Sequence, residues 1–170
     1  MKRKVCVLIS LLLVCCMVVL TGCSGGSDNT DKANTMVETA FTLPLEGVEE
    51  FGEDDTAYIN AMNKIFGDLV AADKIEFFGF SQDVFTLQVE ASKAEAKIAV
   101  KSYECKKMEQ ENLYEYTADL DISMANGETT TVSIGGSMQF NEDGMVDYMS
   151  IDKGKIMDVL KLLNPELYGK

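Results

Sequence analysis

Leu113-Tyr114-Glu115-Tyr116-Thr117-Ala118-Asp119-Leu120-Asp121-Ile122-Ser123-Met124 alternates apolar and polar residues without a fault from Tyr114 onward. Tyr114, Tyr116, Ala118, Leu120, Ile122 and Met124 point one way, and Glu115, Thr117, Asp119, Asp121 and Ser123 the other. A period of two sustained this long means a β-strand with one packed and one wet face. Asn126-Gly127 follows, two residues tolerant of positive φ, and predicts a tight hairpin. The returning strand sets Val132, Ile134, Met138 and Phe140 on its packed side. Gly135-Gly136 interrupts it, and paired glycines in a strand predict strong bending or a bulge. Asn141-Glu142-Asp143-Gly144 supplies a second turn before a last strand. In that strand Met145, Met149 and Ile151 share one face, and Val146 and Tyr148 take the other.

Upstream, Ile98, Val100 and Ser102 open another period-two segment that reaches Met108 less cleanly. Residues 83–96 are ambiguous: Phe85–Glu90 alternates like a strand, while Glu90–Lys97 has the alanine and charge content of a helix. Ile75–Phe80 reads as a short strand or packed connector. Ile59, Met62, Phe66, Leu69 and Val70 recur at three- and four-residue intervals, predicting a helix over 56–72 capped by Asp55 or Thr56. A short first helix over 35–43 would carry Met36, Val37, Ala40 and Phe41 on one side until Pro44 limits it. At the other end Ile156, Val159, Leu160 and Leu163 make a short C-terminal helix that Asn164-Pro165 stops. A sheet with an apolar face must bury it, and the helices are its cover. The expected fold is therefore α+β, with N-terminal helices packed on a curved, cone-like antiparallel sheet.

Over about residues 56–152 this plan resembles the nuclear-transport-factor-two-like fold of the cystatin-like superfamily. The resemblance rests on the helix around Tyr58–Leu69, the strand Leu113–Met124, Asn126-Gly127, and the run Met138-Gln139-Phe140-Asn141-Glu142-Asp143-Gly144-Met145-Val146. The chain departs from the pattern before 56 and between 81 and 97. The resemblance implies a sheet wrapped into a cone whose mouth can hold a ligand.

The chain opens Met1-Lys2-Arg3-Lys4 and then runs apolar from Val5 to Leu20, 16 residues with only Ser10 clearly polar. A membrane-spanning helix needs roughly 20 apolar residues, so this stretch fits the hydrophobic core of an export signal better. Leu20-Thr21-Gly22-Cys23 resembles the lipobox of bacterial lipoproteins. That resemblance implies cleavage between Gly22 and Cys23 and attachment of acyl chains such as palmitate to Cys23. The expected organisation is a signal over 1–22, a flexible polar tether over 23–34, and one domain over 35–170. The protein would then sit outside the cytoplasm, anchored to the cell membrane, and in the outer membrane if the envelope is double, since Ser24 follows the lipidated cysteine.

Without the leader's three basic residues, 12 basic residues face 28 acidic ones, a formal charge of −16. Such a surface repels nucleic acids and anionic headgroups, leaving the lipid as the membrane contact. Cys6, Cys15 and Cys16 leave with the signal and Cys23 is consumed, so Cys105 has no intramolecular partner and reads as a small strand hydrophobe. The acidic run over 46–55 lacks EF-hand spacing and reads as a solvated surface.

The chain has no histidine, no Gly-x-Ser-x-Gly elbow and no glycine-rich phosphate loop. No cofactor or metal is implied. Carboxylate and tyrosine remain, the set used by the ketosteroid isomerases of the resembled fold. Tyr103, Tyr114 and Tyr116 would line the cavity, with Asp147 as the carboxylate between Met145 and Met149. The reading is a non-catalytic, tethered domain that binds a small apolar ligand or an envelope partner protein. The alternatives are a small acid–base enzyme using Asp147 and the tyrosines, and a purely structural envelope protein.

Overall fold

A computed structural model describes residues 28–45, 55–75 and 83–169. The expected export signal, Cys23, most of the acidic run and all but Ile75 of the 75–80 connector lie outside the described residues. The elements are α1 (Thr30–Phe41), α2 (Asp55–Phe66), a 3-10 turn at Ala72–Lys74, α3 (Asp83–Lys93), β1 (Lys97–Lys107), β2 (Leu113–Ser123), β3 (Thr129–Phe140), β4 (Val146–Ile151), α4 (Lys153–Leu163) and α5 (Pro165–Tyr168).

Each helix forms where an apolar stripe recurs at helical spacing. α1 buries Ala33, Met36, Val37, Ala40 and Phe41. It starts at Thr30, inside the stretch expected to be tether, because Ala33 extends the stripe by one turn toward the N-terminus. In α2 the buried residues Tyr58, Met62 and Phe66 stand four apart. This helix ends six residues earlier than its periodicity suggests, because Leu69–Ala71 is diverted into the sheet. Val146 donates its N–H to the Leu69 carbonyl at 2.7 Å, and Ala71 donates to the Val146 carbonyl at 3.0 Å. The ambiguous 83–96 segment is helical to Lys93, with Val84, Leu87, Gln88 and Ala91 buried. α4 buries Ile156, Val159, Leu160 and Leu163.

The four strands form one antiparallel sheet in the order β1-β2-β3-β4. The sheet is flat and open, which corrects the expected cone and removes the basis of the resemblance to the cystatin-like fold. Gly135 and Gly136 explain the error. They pair with Thr117 and Tyr116 in unbroken register, so they neither bulge nor bend the sheet. Gly136 instead makes room for a neighbour. A Cβ there would collide with the Ser150 carbonyl and lie 2.8 Å from the Tyr116 hydroxyl, because the Tyr116 side chain crosses it toward β4.

The irregularities sit in the two edge strands. Val100 pairs with Leu120 and Ser102 with Asp119, leaving Lys101 as an extra residue in β1. Gln139 pairs with Tyr148 and Phe140 with Val146, leaving Asp147 as an extra residue in β4. Each bulge carries a charge on an edge strand, a device that discourages unwanted strand pairing. The β4 bulge also revises the expected faces, since Val146 is buried beside Met149 although the two are three residues apart.

Both β2–β3 and β3–β4 turns use three loop residues instead of the two expected at Asn126-Gly127. Gly127 donates to the Met124 carbonyl at 2.9 Å and Gly144 to the Asn141 carbonyl at 3.0 Å. In each turn the glycine alone takes positive φ, +87° and +68°. One hydrophobic cluster runs from Ala33 to Leu163 and joins every helix stripe to the inner sheet face.

Candidate functional site

The structure scatters the four residues proposed to line one cavity. Tyr114 and Tyr116 lie in the packed core, 0% and 2% exposed. Tyr103, on the same sheet face, is 40% exposed near the β1 edge. Asp147 stands on the β4 bulge with its side chain 43% exposed, and Lys74 Nζ lies 3.8 Å from its carboxylate. The bulge takes Asp147 out of the Met145–Met149 alternation on which its expected apolar neighbourhood rested.

Both buried tyrosines spend their hydroxyls on the fold. The Tyr114 hydroxyl accepts the Asn29 N–H at 2.8 Å and donates to Asp28 Oδ1 at 3.3 Å, fastening the start of α1 to β2. Its ring packs edge-on against Phe140 at 5.2 Å. The Tyr116 hydroxyl donates to the Ser150 carbonyl at 2.8 Å, tying β2 to β4 across β3. Burial pushes its proton affinity above the ordinary phenol range, and the carboxylates of Asp152 and Asp83 push the same way. The carboxylates that act on Tyr116 are therefore Asp152 and Asp83. The sequence analysis passed over both, since neither belongs to a motif and only the fold brings them near Tyr116. Asp83 is itself raised by burial, with Lys153 opposing.

Cys105 is a free, half-buried thiol whose proton affinity burial raises to about 11. It stays protonated at neutral pH, and a protonated thiol is a poor nucleophile.

The outer sheet face is polar and internally bonded. Asp119 accepts from Ser133 at 2.5 Å and from Ser102 at 2.9 Å, which spans three strands. Those two hydroxyls hold its carboxyl below the ordinary range. Asp121 is lowered likewise, chiefly by the Thr131 hydroxyl at 2.5 Å.

On this face the missing side chain of Gly135 leaves an open trough of 380 Å³. Glu115, Thr117, Ser137, Ser150 and Asp152 surround it. Asp152 occupies the N-cap position of α4 without capping it. Its Oδ2 instead lies 3.4 Å from where a Gly135 Cβ would stand. Two carboxylates and three hydroxyls suit a cationic or hydrogen-donating group, and they supply no activated nucleophile. Among the described residues no group of three or more His, Cys, Asp or Glu side chains is placed to hold a metal ion, and no helix is long and apolar enough to cross a membrane. No protein-family model matches the chain, and no curated protein matches it significantly.

Proposed function

We propose that this protein is a non-catalytic binding domain, held at the outer side of a bacterial membrane through acylated Cys23, whose outer sheet face receives a basic segment of an envelope partner. The observation that carries the non-catalytic reading is the commitment of the Tyr114 and Tyr116 hydroxyls to the Asn29 N–H and the Ser150 carbonyl. A ketosteroid-isomerase-like mechanism needs such a hydroxyl free beside a desolvated carboxylate. Asp147, the carboxylate proposed for that role, is instead partly exposed and lies next to Lys74.

The trough over Gly135 supports the choice of partner, because its charge and hydroxyls complement lysine or arginine side chains. The anchor rests on the lipobox-like Leu20-Thr21-Gly22-Cys23 behind a basic, apolar leader.

The test has two arms. Intact-mass measurement of the envelope form is expected to find Cys23 as an acylated first residue, and Cys23→Ala to stay unacylated. A photo-crosslinker at Ser137 is expected to give one discrete adduct in intact envelopes, while one at Lys161 gives none. Retention of Met1 by the envelope form would end the tethered reading. Equal labelling at both positions would end the choice of face.

A further inference from the structure

Among the described residues each edge of the sheet is bridged at one place. Near its start β1 is bridged by Leu43, which exchanges hydrogen bonds of 2.9 Å with Ile98. At the other edge Leu69 and Ala71 bond Val146. Lys101 and Asp147 bulge next to these bridges. Ser102–Lys107 is the longest stretch beyond these bridges, and among the described residues no segment pairs with its outer side.

The direction of its free backbone groups follows from the ladder. Met108 donates to the Leu113 carbonyl at 2.9 Å, so Met108 turns its polar groups toward β2. Counting back by twos, Lys106, Glu104 and Ser102 also face β2, and Lys107, Cys105 and Tyr103 present their N–H and C=O groups to the open edge. The Lys101 bulge shifts the count by one, which agrees with Ile98 facing outward to Leu43.

We infer that this segment is a self-pairing edge: two copies of the chain join β1 to β1, antiparallel and centred on Cys105, into one continuous eight-stranded sheet. The charges select a second copy and fix the register. Centred on Cys105, Glu104 of each copy lies opposite Lys106 of the other on the outer face. Tyr103 lies opposite Lys107 on the inner face, where an ammonium can rest against the ring. Cys105, small and uncharged, meets itself on the axis. Tyr103, Cys105 and Lys107 are then the residues that exchange backbone bonds, matching the outward groups already counted. The neighbouring registers fail. Centring on Glu104, Lys106 or Lys107 sets like charges face to face, and centring on Tyr103 drives Cys105 against the Lys101 bulge.

Sedimentation of the purified protein tests this with Glu104→Lys, Lys106→Glu and Cys105→Pro. The wild type is expected to be a dimer. Each charge variant places two like pairs across the axis and weakens dimerisation about tenfold. An equimolar mixture of the two variants restores it, because the mixed pair regains both opposite-charge contacts. Cys105→Pro removes an outward N–H that β2 does not use, so it abolishes the dimer with the far-ultraviolet circular dichroism unchanged. A wild type that stays monomeric overturns the inference. So does a dimer indifferent to the charge variants, whatever the proline variant does.

Discussion

A Cβ on residue 136 would strike the Ser150 carbonyl, a backbone atom pinned by strand pairing, and stand 2.8 Å from the Tyr116 hydroxyl. Neither neighbour can yield without breaking the bond between them. Gly136→Ala is therefore expected to cost about 2–3 kcal/mol, read from the urea midpoint at constant slope. Gly154, in the first turn of α4, has nothing within 4 Å of a built Cβ. Gly154→Ala is expected to stabilise by about 0.5–1 kcal/mol, because only the unfolded chain loses freedom. Tyr116→Phe separates the tyrosine's two contributions. Its ring still fills the space over Gly136, and the loss of one hydrogen bond costs about 1 kcal/mol. A much larger loss for Tyr116→Phe than for Gly136→Ala would contradict this account of the pair.

At the scale of elements, Glu90 joins α3 to the end of α4. Its side chain is 5% exposed, accepts from Lys93 at 2.9 Å, and accepts from the Asn164 amide at 2.9 Å. Burial alone would raise its carboxyl, but the Asn164 amide and the Lys93 ammonium overcome that and leave it below the ordinary 4.5. A lowered folded-state value gives stability that is complete above the unfolded value and is lost as the pH falls through the folded one. Glu90→Gln is thus expected to cost about 1–2 kcal/mol at pH 7, and the gap from wild type to narrow steadily below pH 4.5. Thermal melts of both proteins across that range measure it. A gap that widens on acidification would assign the clasp another origin.

Elements also differ in how far their residues announced them. The inner face of β2 was legible because five of its apolar residues, Tyr114 to Ile122, remain in one faultless alternation and are all buried. α3 was not, since Phe85, Leu87 and Val89 alternate while the buried stripe runs through Val84, Leu87, Gln88 and Ala91. Tertiary packing chose between two patterns present together. The bulges at Lys101 and Asp147 left no signature, because an extra residue in one strand is defined only by its partner strand. The candidate site was lost for the same reason: alternation read through Asp147 placed it among methionines, and one unpaired residue moved it to a partly exposed place beside Lys74.

For the whole molecule the question is whether its charge is a burden or a set of bonds. The chain carries 28 acidic and 15 basic residues, yet the described residues hold four side-chain ion pairs, at Lys74–Asp73, Lys74–Asp147, Lys93–Glu90 and Lys101–Asp121. The lowered carboxyls of Asp28, Asp119 and Asp121 owe their shifts chiefly to the hydroxyls of Thr30, Ser133 and Thr131. Dissolved ions scarcely weaken such short hydrogen bonds, whereas they screen repulsion between separated carboxylates. Added salt therefore removes more repulsion than attraction. Raising sodium chloride from 20 mM to 500 mM shortens the screening distance from about 20 Å to about 4 Å. It is expected to raise Tm by about 3 °C, near 1 kcal/mol for a domain of this size. A fall in Tm would mean that ion pairs dominate the balance. Calcium chloride at the same ionic strength is expected to act no differently, because screening depends on the ionic atmosphere and not on coordination. A distinctly larger rise with calcium would transfer the effect from the net charge to a specific cation site.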